Sequence, residues 1–376
     1  MVKITLVLLL LLSGCTVAQK PDPKPYTGPT DTIAQDMVLW PMTTSLDMIM
    51  VGDTIVHSNV YADAKLANGT YDFTDMIERY KPIIEPYDLA FYNQESILGG
   101  SSIGVSNYPR FNSPQEFGDA MLDAGFNLVS LANNHSNDRG TQALLNSNAY
   151  WKTKDAITAG TYSTRDESEA VHVYTRNGIS FGFLAYTYGL NGLNLSSQNA
   201  YMVDLIDLDK MKVDVEALRP LVDVLIVSVH FGSEYQNYPN TYQKNLVNKL
   251  ATWDVDIVIG NHAHAIQPIQ WIGKTLVYYA LGNFLSGQQG TAKLIGLTSA
   301  ITITKFTYGE ETWIQLSDLK ADLTYNYYNA NMRDVTIFPW DEVTTKLLPD
   351  KATWEASFLK IVNAYGANLS FGGLRK

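Results

Sequence analysis

The stretch Ile257 to His264, Ile-Val-Ile-Gly-Asn-His-Ala-His, constrains the fold more than any other part of the chain. A short β-branched run that stops at glycine predicts a buried strand, and here the strand tip delivers two histidines. Strand tips are where open α/β sheets hold ligands. If the tip stays extended, the spacing of two sends both imidazoles to the same side. Borderline-soft divalent metals favour such nitrogen donors. Three other apolar runs end the same way: Leu46 to Val51 before Asp53, Phe126 to Leu131 before Asn134 and His135, and Val222 to Val229 before His230. The short run Asp88 to Tyr92 likewise leads to Glu95, a carboxylate that is costly beside a buried strand unless paired or metal-bound.

Helical spacing separates these strands. Phe73 to Ile84, Pro114 to Ala124, a segment reaching about Ala156, Asp209 to Leu218 and Tyr242 to Trp253 read as helices. This alternation predicts an α/β chain whose strand ends share one edge. Val171 to Val173 and Ile179 to Tyr186 read as two strands joined as a hairpin at Asn177-Gly178, and His172, inside the first of them, reads as a solvent-facing side chain. From Thr298 to Leu316 a β pair turns at Gly309, and a closing helix runs from about Trp354 to Tyr365. No linker follows residue 45, so residues 46–376 read as one domain.

Formal charge is −11, from 27 basic and 38 acidic residues, and no basic block forms a nucleic-acid footprint. Nucleic acid is therefore set aside. An anionic substrate would need a local positive centre, which a metal supplies. Asp53, Glu95, Asn134, His135, His230, His262 and His264 all follow apolar runs. Two carboxylates, an amide and several imidazoles suit Mn, Zn or Fe, and suffice for two ions sharing one carboxylate. Such a pair can clamp both oxygens of a phosphate ester and activate water near neutral pH. His57, four residues beyond Asp53, is a further candidate ligand. His135 is expected to donate a proton with Asp138 beside it, Asn134 to bind metal, because neighbours in an extended segment diverge.

The N-terminus has a different logic. Lys3, the apolar run Ile4 to Leu12 and Ser13-Gly14-Cys15 have the parts of an export signal over residues 1–14. Nine apolar residues cannot span a bilayer as a mature helix. Leu12-Ser13-Gly14-Cys15 resembles the lipobox of bacterial lipoproteins, which implies lipidation at Cys15, the sole cysteine. Residues 15–45, rich in proline and polar groups, then read as an extended tether. The expected location is extracytoplasmic, lipid-anchored to the bacterial membrane.

Six ordered motifs carry a further likeness. Gly52-Asp53, Asn93-x-Glu95, Ala132-Asn133-Asn134-His135-x-x-Asp138-x-Gly140, His230-x-Gly232-x-Glu234-Tyr235, Gly260-x-His262-x-His264 and Leu281-Gly282-Asn283-Phe284 together resemble the CapA/PgsA family. These are bacterial capsule, or poly-γ-glutamate, synthesis proteins related to the calcineurin-like metallophosphatases. The resemblance spans about residues 46 to 290 and implies a four-layer α/β/β/α sandwich. It also implies that Asp53 and His264 bind a first metal, that Glu95 bridges, and that Asn134, His230 and His262 bind a second, with His135 as general acid. The metallophosphatase pattern has Asp-x-His at the first strand; here Ile55 stands in the histidine place and His57 is the candidate substitute. Two functions fit: a metal-dependent hydrolase acting on a phosphoester or the γ-glutamyl polymer, and a non-catalytic polyglutamate-binding subunit assisting a membrane synthase.

Overall fold

The computed structural model describes residues 41–376. The export signal of residues 1–14, Cys15 and the tether up to residue 40 lie outside the described residues. Among the described residues, fifteen strands form two sheets. The first contains β1 (Met42–Ile55), β2 (Leu89–Gln94), β3 (Leu128–Ser130) and β4 (Ile157–Ala159), all parallel in the order given. The second is built on β6 (Ile179–Thr187), β7 (Val224–His230) and β8 (Ile257–Asn261), again parallel, with β5 (Tyr174–Arg176) at one edge. At its other edge lie β9 (Ile269–Ile272) and β10 (Thr275–Tyr278). The first sheet is completed by β11 (Asn283–Ser286), β12 (Ile295–Tyr308), β13 (Glu311–Tyr327), β14 (Thr336–Pro339) and β15 (Ser370–Phe371).

Alternation along β1 shows why these runs are apolar throughout. Met48 and Met50 face the space between the sheets, where they meet Phe91, Phe183, Ile226, Ile259 and Tyr278. Ile49 and Val51 face outward, against Phe73, Phe117 and Met121. A strand covered on both faces has no position for a polar side chain except at its tips. Helix α1 (Glu116–Asp123) and helix α2 (Gly140–Trp151) cover the first sheet through Phe117, Met121 and Trp151. On the second sheet, α3 (Leu208–Leu218) contributes Met211, Val215 and Leu218, and α4 (Thr241–Thr252) contributes Leu246, Val247 and Leu250. The result is a four-layer α/β/β/α sandwich.

Local rules set the element ends. Helix α3 starts at Asp207, whose carboxylate accepts from the backbone of Asp209 and Lys210. Helix α4 starts with a capping box between Asn240 and Gln243. The hairpin between β5 and β6 turns at Asn177 (φ 50°) and Gly178 (φ 75°) as the dipeptide predicts, and His172 lies just before β5, exposed.

Three expectations change. The predicted helix from Phe73 to Ile84 is broken into Thr74–Ile77, a 3₁₀ turn Glu78–Tyr80 and Lys81–Ile84, since Pro82 has no N–H to continue the ladder. The first strand begins at Met42 rather than Leu46, because Met42 to Met50 pair antiparallel with β12. The β pair runs past its expected bounds at the end away from the Gly309 turn, to Ile295 on one strand and Tyr327 on the other, where Leu319, Ala321 and Leu323 are buried with polar Lys320 and Asp322 between them.

Candidate metal centre

Parallel strands bring their C-terminal tips to one edge, and here the tips of the two sheets meet. Asp53 lies beside Asn93 in the β1–β2 register, and His230 lies beside Asn261 in β7–β8. Across the gap, the His262 N–H reaches the Asp53 carboxylate at 3.1 Å, and His230 Nε2 lies 2.8 Å from Asn134 Oδ1. Close backbone approach makes this possible. A Cβ on Gly52 would stand 1.9 Å from the Gly282 carbonyl oxygen, and one on Gly260 would stand 2.0 Å from that of Tyr279. No other residue fits at either tip.

Two donor sets result. Asp53, Glu95 and His264 form one, Glu95, His230 and His262 the other, the chosen ligand atoms of each set lying within 4.8 Å of one another. Glu95 is common to both. Its Oε1 lies 3.5 Å from His230 Nε2 and 3.5 Å from His264 Nε2, while His264 Nδ1 is 3.3 Å from Asp53 Oδ2. Asn134 joins the second set through its contact with His230.

All five titratable groups are buried, and burial and the neighbouring charges together set their protonation. Burial holds His230 and His262 down at about 3, so both are neutral imidazoles near pH 7, the form a metal requires. It pushes Glu95 up to about 8 against the pull of His264. Burial also works against charge on His264, yet Glu95 and Asp53 outweigh it and raise His264 to about 10. On Asp53 burial acts upward, but the His264 imidazole leaves the carboxyl below its usual range. Without metal near pH 7, protonated His264 thus faces ionised Asp53, while Glu95 keeps its proton.

The residues fit a metal on a specific observation: neither Glu95 oxygen has a hydrogen-bond partner, and buried His262 Nδ1 has none either. A buried carboxylate without partners is costly. A divalent cation between the two sets would satisfy it and displace the His264 proton. Outer partners orient the ligands as metal sites require. His264 Nδ1 lies 2.9 Å from Asn283 Oδ1, and Asn93 Nδ2 donates to Asp53 at 2.8 Å.

The two histidines of the opening stretch reach the site by a route other than strand alternation. Strand β8 ends at Asn261, and His262 (φ 89°) and His264 (φ 48°) adopt left-handed backbone conformations that sort them into different sets. Non-glycine residues accept this strain where surrounding structure imposes it, commonly at functional sites. Similarly, Asn134 and His135 diverge because they occupy a turn after β3: Asn134 meets His230, while His135 Nδ1 lies 2.7 Å from Asp138 Oδ2. The same Asp138 oxygen accepts the Phe111 N–H at 2.6 Å, and the Phe111 ring packs edge-on to His135.

His57 is not brought into either set. Its Nδ1 sits 3.0 Å from the Ile55 carbonyl and 3.1 Å from the Gly287 nitrogen, and its ring packs on Phe111. Burial lowers it to about 4. Ile55, in the place of the expected histidine, is a buried apolar side chain. The sequence reading also missed the loop after β6. There Tyr188 covers His262 with ring centroids 4.7 Å apart, and Asn191 accepts from Asn134 at 3.2 Å. The signal was present: Ile179 to Thr187 is another apolar run, followed by Asn191-Gly192.

Comparison with known proteins gives a consistent result. The family model "Bacterial capsule synthesis protein PGA_cap" matches residues 47–288. The chain is 28% identical over 174 residues to "PGA biosynthesis protein CapA" of Bacillus subtilis (strain 168), covering 46% of this chain and 45% of that one. It is 24% identical over 261 residues to "Capsule biosynthesis protein CapA" of Bacillus anthracis, covering 65% and 61% respectively. The matched region thus spans less than two thirds of either relative. Among solved structures, a hypothetical protein from Thermus thermophilus aligns with TM-score 0.40 and 15% identity over 72% of this chain and 99% of its own. A 5'-nucleotidase from Candida albicans aligns with TM-score 0.39 and 11% identity over 84% and 58%.

Proposed function

Because the chain belongs to the bacterial capsule synthesis protein family PGA_cap, we propose that it is a metal-dependent hydrolase of capsule or poly-γ-glutamate biosynthesis or export. Its substrate would be a phosphoester or the γ-glutamyl polymer itself. One observation carries the reading: Glu95, buried with neither oxygen hydrogen-bonded, stands where the two donor sets meet. Asp53, Glu95 and His264 would hold one ion, and Glu95, Asn134, His230 and His262 a second, with Mn, Zn or Fe suited to this nitrogen and oxygen set. Bound metal would supply Lewis acidity and a nucleophilic water near neutral pH.

The chain's own residues account for the rest. Asn283 and Asn93 fix His264 and Asp53, and Tyr188 covers the His262 ring. His135, held through Nδ1 by Asp138, keeps Nε2 to donate a proton to the leaving oxygen. The Asp138 carboxylate holds the imidazole ring in place through Nδ1. Acyl chains on Cys15 would hold the protein at the outer face of the membrane, near a membrane synthase.

A second reading rests on Ile55. With an apolar side chain at that position, the first set has three His, Asp or Glu donors, which favours a subunit that binds polyglutamate through metal without cleaving it. Turnover decides between them. With Mn²⁺ or Zn²⁺ bound, the full chain should cleave bis(p-nitrophenyl) phosphate or shorten γ-linked polyglutamate, and Glu95→Gln should not. Full metal occupancy with no turnover of either substrate would leave the accessory role.

A further inference from the structure

Beside the metal centre lies positive charge that the chemistry above does not use. An open cleft of about 380 Å³ is lined by Arg110, Asn137, Asp138, Arg139, Leu193 and Asn194. Asp138 is the residue that holds His135, so the cleft adjoins the proposed proton donor.

Four arginines elsewhere, Arg79, Arg165, Arg219 and Arg375, find carboxylates. Arg110 and Arg139 make no ion pair among the described residues, nor do Arg176 and Arg333; what sets Arg110 and Arg139 apart is that they line one cleft. Arg139 is fixed by neutral acceptors: Ser106 Oγ at 2.7 Å, the Ile103 carbonyl at 3.0 Å and the Gly104 carbonyl at 3.2 Å. Its charge is held in place and not cancelled. Arg110 is exposed and its side chain makes no hydrogen bond among the described residues, while its backbone is tied down. Its N–H donates to the Asn107 carbonyl, its own carbonyl accepts from Ser106 Oγ, and the next residue, Phe111, is bonded to Asp138. Helix α2, with no acid in its first turn, also starts here and adds its positive end. Asp138 turns Oδ2 to His135 and the Phe111 N–H, and its Oδ1 is buried rather than exposed to the cleft.

We infer that this cleft is an oxyanion subsite on the His135 side of the centre, in which Arg110 and Arg139 bind a carboxylate or phosphate of the substrate adjacent to the group being cleaved. A planar guanidinium with free donors matches either group in bidentate fashion. The cleaved substrate then carries a second negative charge beyond its leaving group, as a chain of repeating anionic units does and an isolated monoester does not. This placement of the scissile bond rests on the hydrolase reading. Binding at the cleft does not.

The test is therefore equilibrium binding to the full chain as purified, with no turnover required. A γ-linked glutamate trimer and inorganic pyrophosphate serve as probes. Arg110→Glu should weaken at least one of them tenfold or more, and Arg110→Lys should retain part of the affinity. Arg176→Glu, the same charge change at an exposed arginine on β5, should stay within about twofold of wild type. Loss for the trimer alone identifies a carboxylate subsite, loss for pyrophosphate alone a phosphate subsite, and loss for both a general oxyanion subsite. Wild type that binds neither probe, unchanged affinity in Arg110→Glu, or an equal loss in Arg176→Glu overturns the inference.

Discussion

Glu95→Gln separates the cost of a buried charge from its use. In the metal-free protein the Glu95 carboxylate is buried with no hydrogen bond, and its pKa stands at about 8 against an ordinary 4.5. Holding it charged at pH 9 costs the fold on the order of 4–5 kcal/mol by that difference. That shift already includes the attraction of protonated His264, 3.5 Å away. The expected net gain from Glu95→Gln in chelator at pH 9 is therefore on the order of a few kcal/mol, with the about 4–5 kcal/mol of the full shift as its ceiling. Between pH 4.5 and 8 the folded state binds the Glu95 proton and the unfolded state releases it, so metal-free stability falls as pH rises through this window. His264, raised to about 10, acts in the same direction from 6.5 to 10. His230 and His262, lowered to about 3, act in the opposite one: unfolding takes up their protons below 6.5, so stability falls as pH drops. These four groups put the metal-free optimum near pH 6.5, and Glu95→Gln should flatten its alkaline side. Urea unfolding followed by tryptophan fluorescence, with chelator and with saturating Mn²⁺ or Zn²⁺, measures both effects. Metal at about a hundred times its dissociation constant should add about 2.7 kcal/mol to wild type and little to the variant. A Glu95→Gln protein that is less stable than wild type at pH 9 without metal, or equally stabilised by metal, would refute the reasoning.

Three further outcomes follow from other parts of the molecule. His135→Ala should keep metal content and fold but lose roughly 10²- to 10⁴-fold in turnover, whereas Asn134→Ala should lose metal as well; elemental analysis beside a kinetic assay distinguishes them. Gly260→Ala drives a Cβ to 2.0 Å from the Tyr279 carbonyl oxygen and should cost about 1–3 kcal/mol or more in urea unfolding. If Cys15 is lipidated as proposed, Cys15→Ala should leave the protein exported but free of the membrane pellet on fractionation, since acyl chains there would provide the anchoring energy.

What could be read from the sequence follows from what burial does to composition. Asp53, Glu95, His230, His262 and His264 were legible because strands covered on both faces tolerate polar groups only at their tips. Each stands just beyond, or at the end of, such a strand. The sharing of ligands between two sets was carried by the motif resemblance, because side-chain convergence across two sheets has no signature in spacing. The orientation of His262 and His264 depended on left-handed backbone in a turn, which no alternation rule reaches. Asn93 and Asn283 were visible as motif residues, but their hydrogen bonds to Asp53 and His264 arise only once β2 and β11 flank β1. The loop with Tyr188 and Asn191 follows an apolar run like the others and so had a signal, but its contacts with His262 and Asn134 are made only by sheet packing. His57 misled because sequence proximity to Asp53 says nothing of the turn at Ile55 that hands its Nδ1 to backbone groups.

The most direct test is metal content. The full chain, purified with Mn²⁺, Zn²⁺ or Fe²⁺ supplied and analysed for elements, should retain about two ions per chain, the number that two donor sets sharing Glu95 can hold. His262→Ala and His264→Ala should each lose at least one of them, because opening either set removes a ligand that nothing nearby replaces. Wild type with a stoichiometry near zero would contradict the metal centre, and with it the hydrolase.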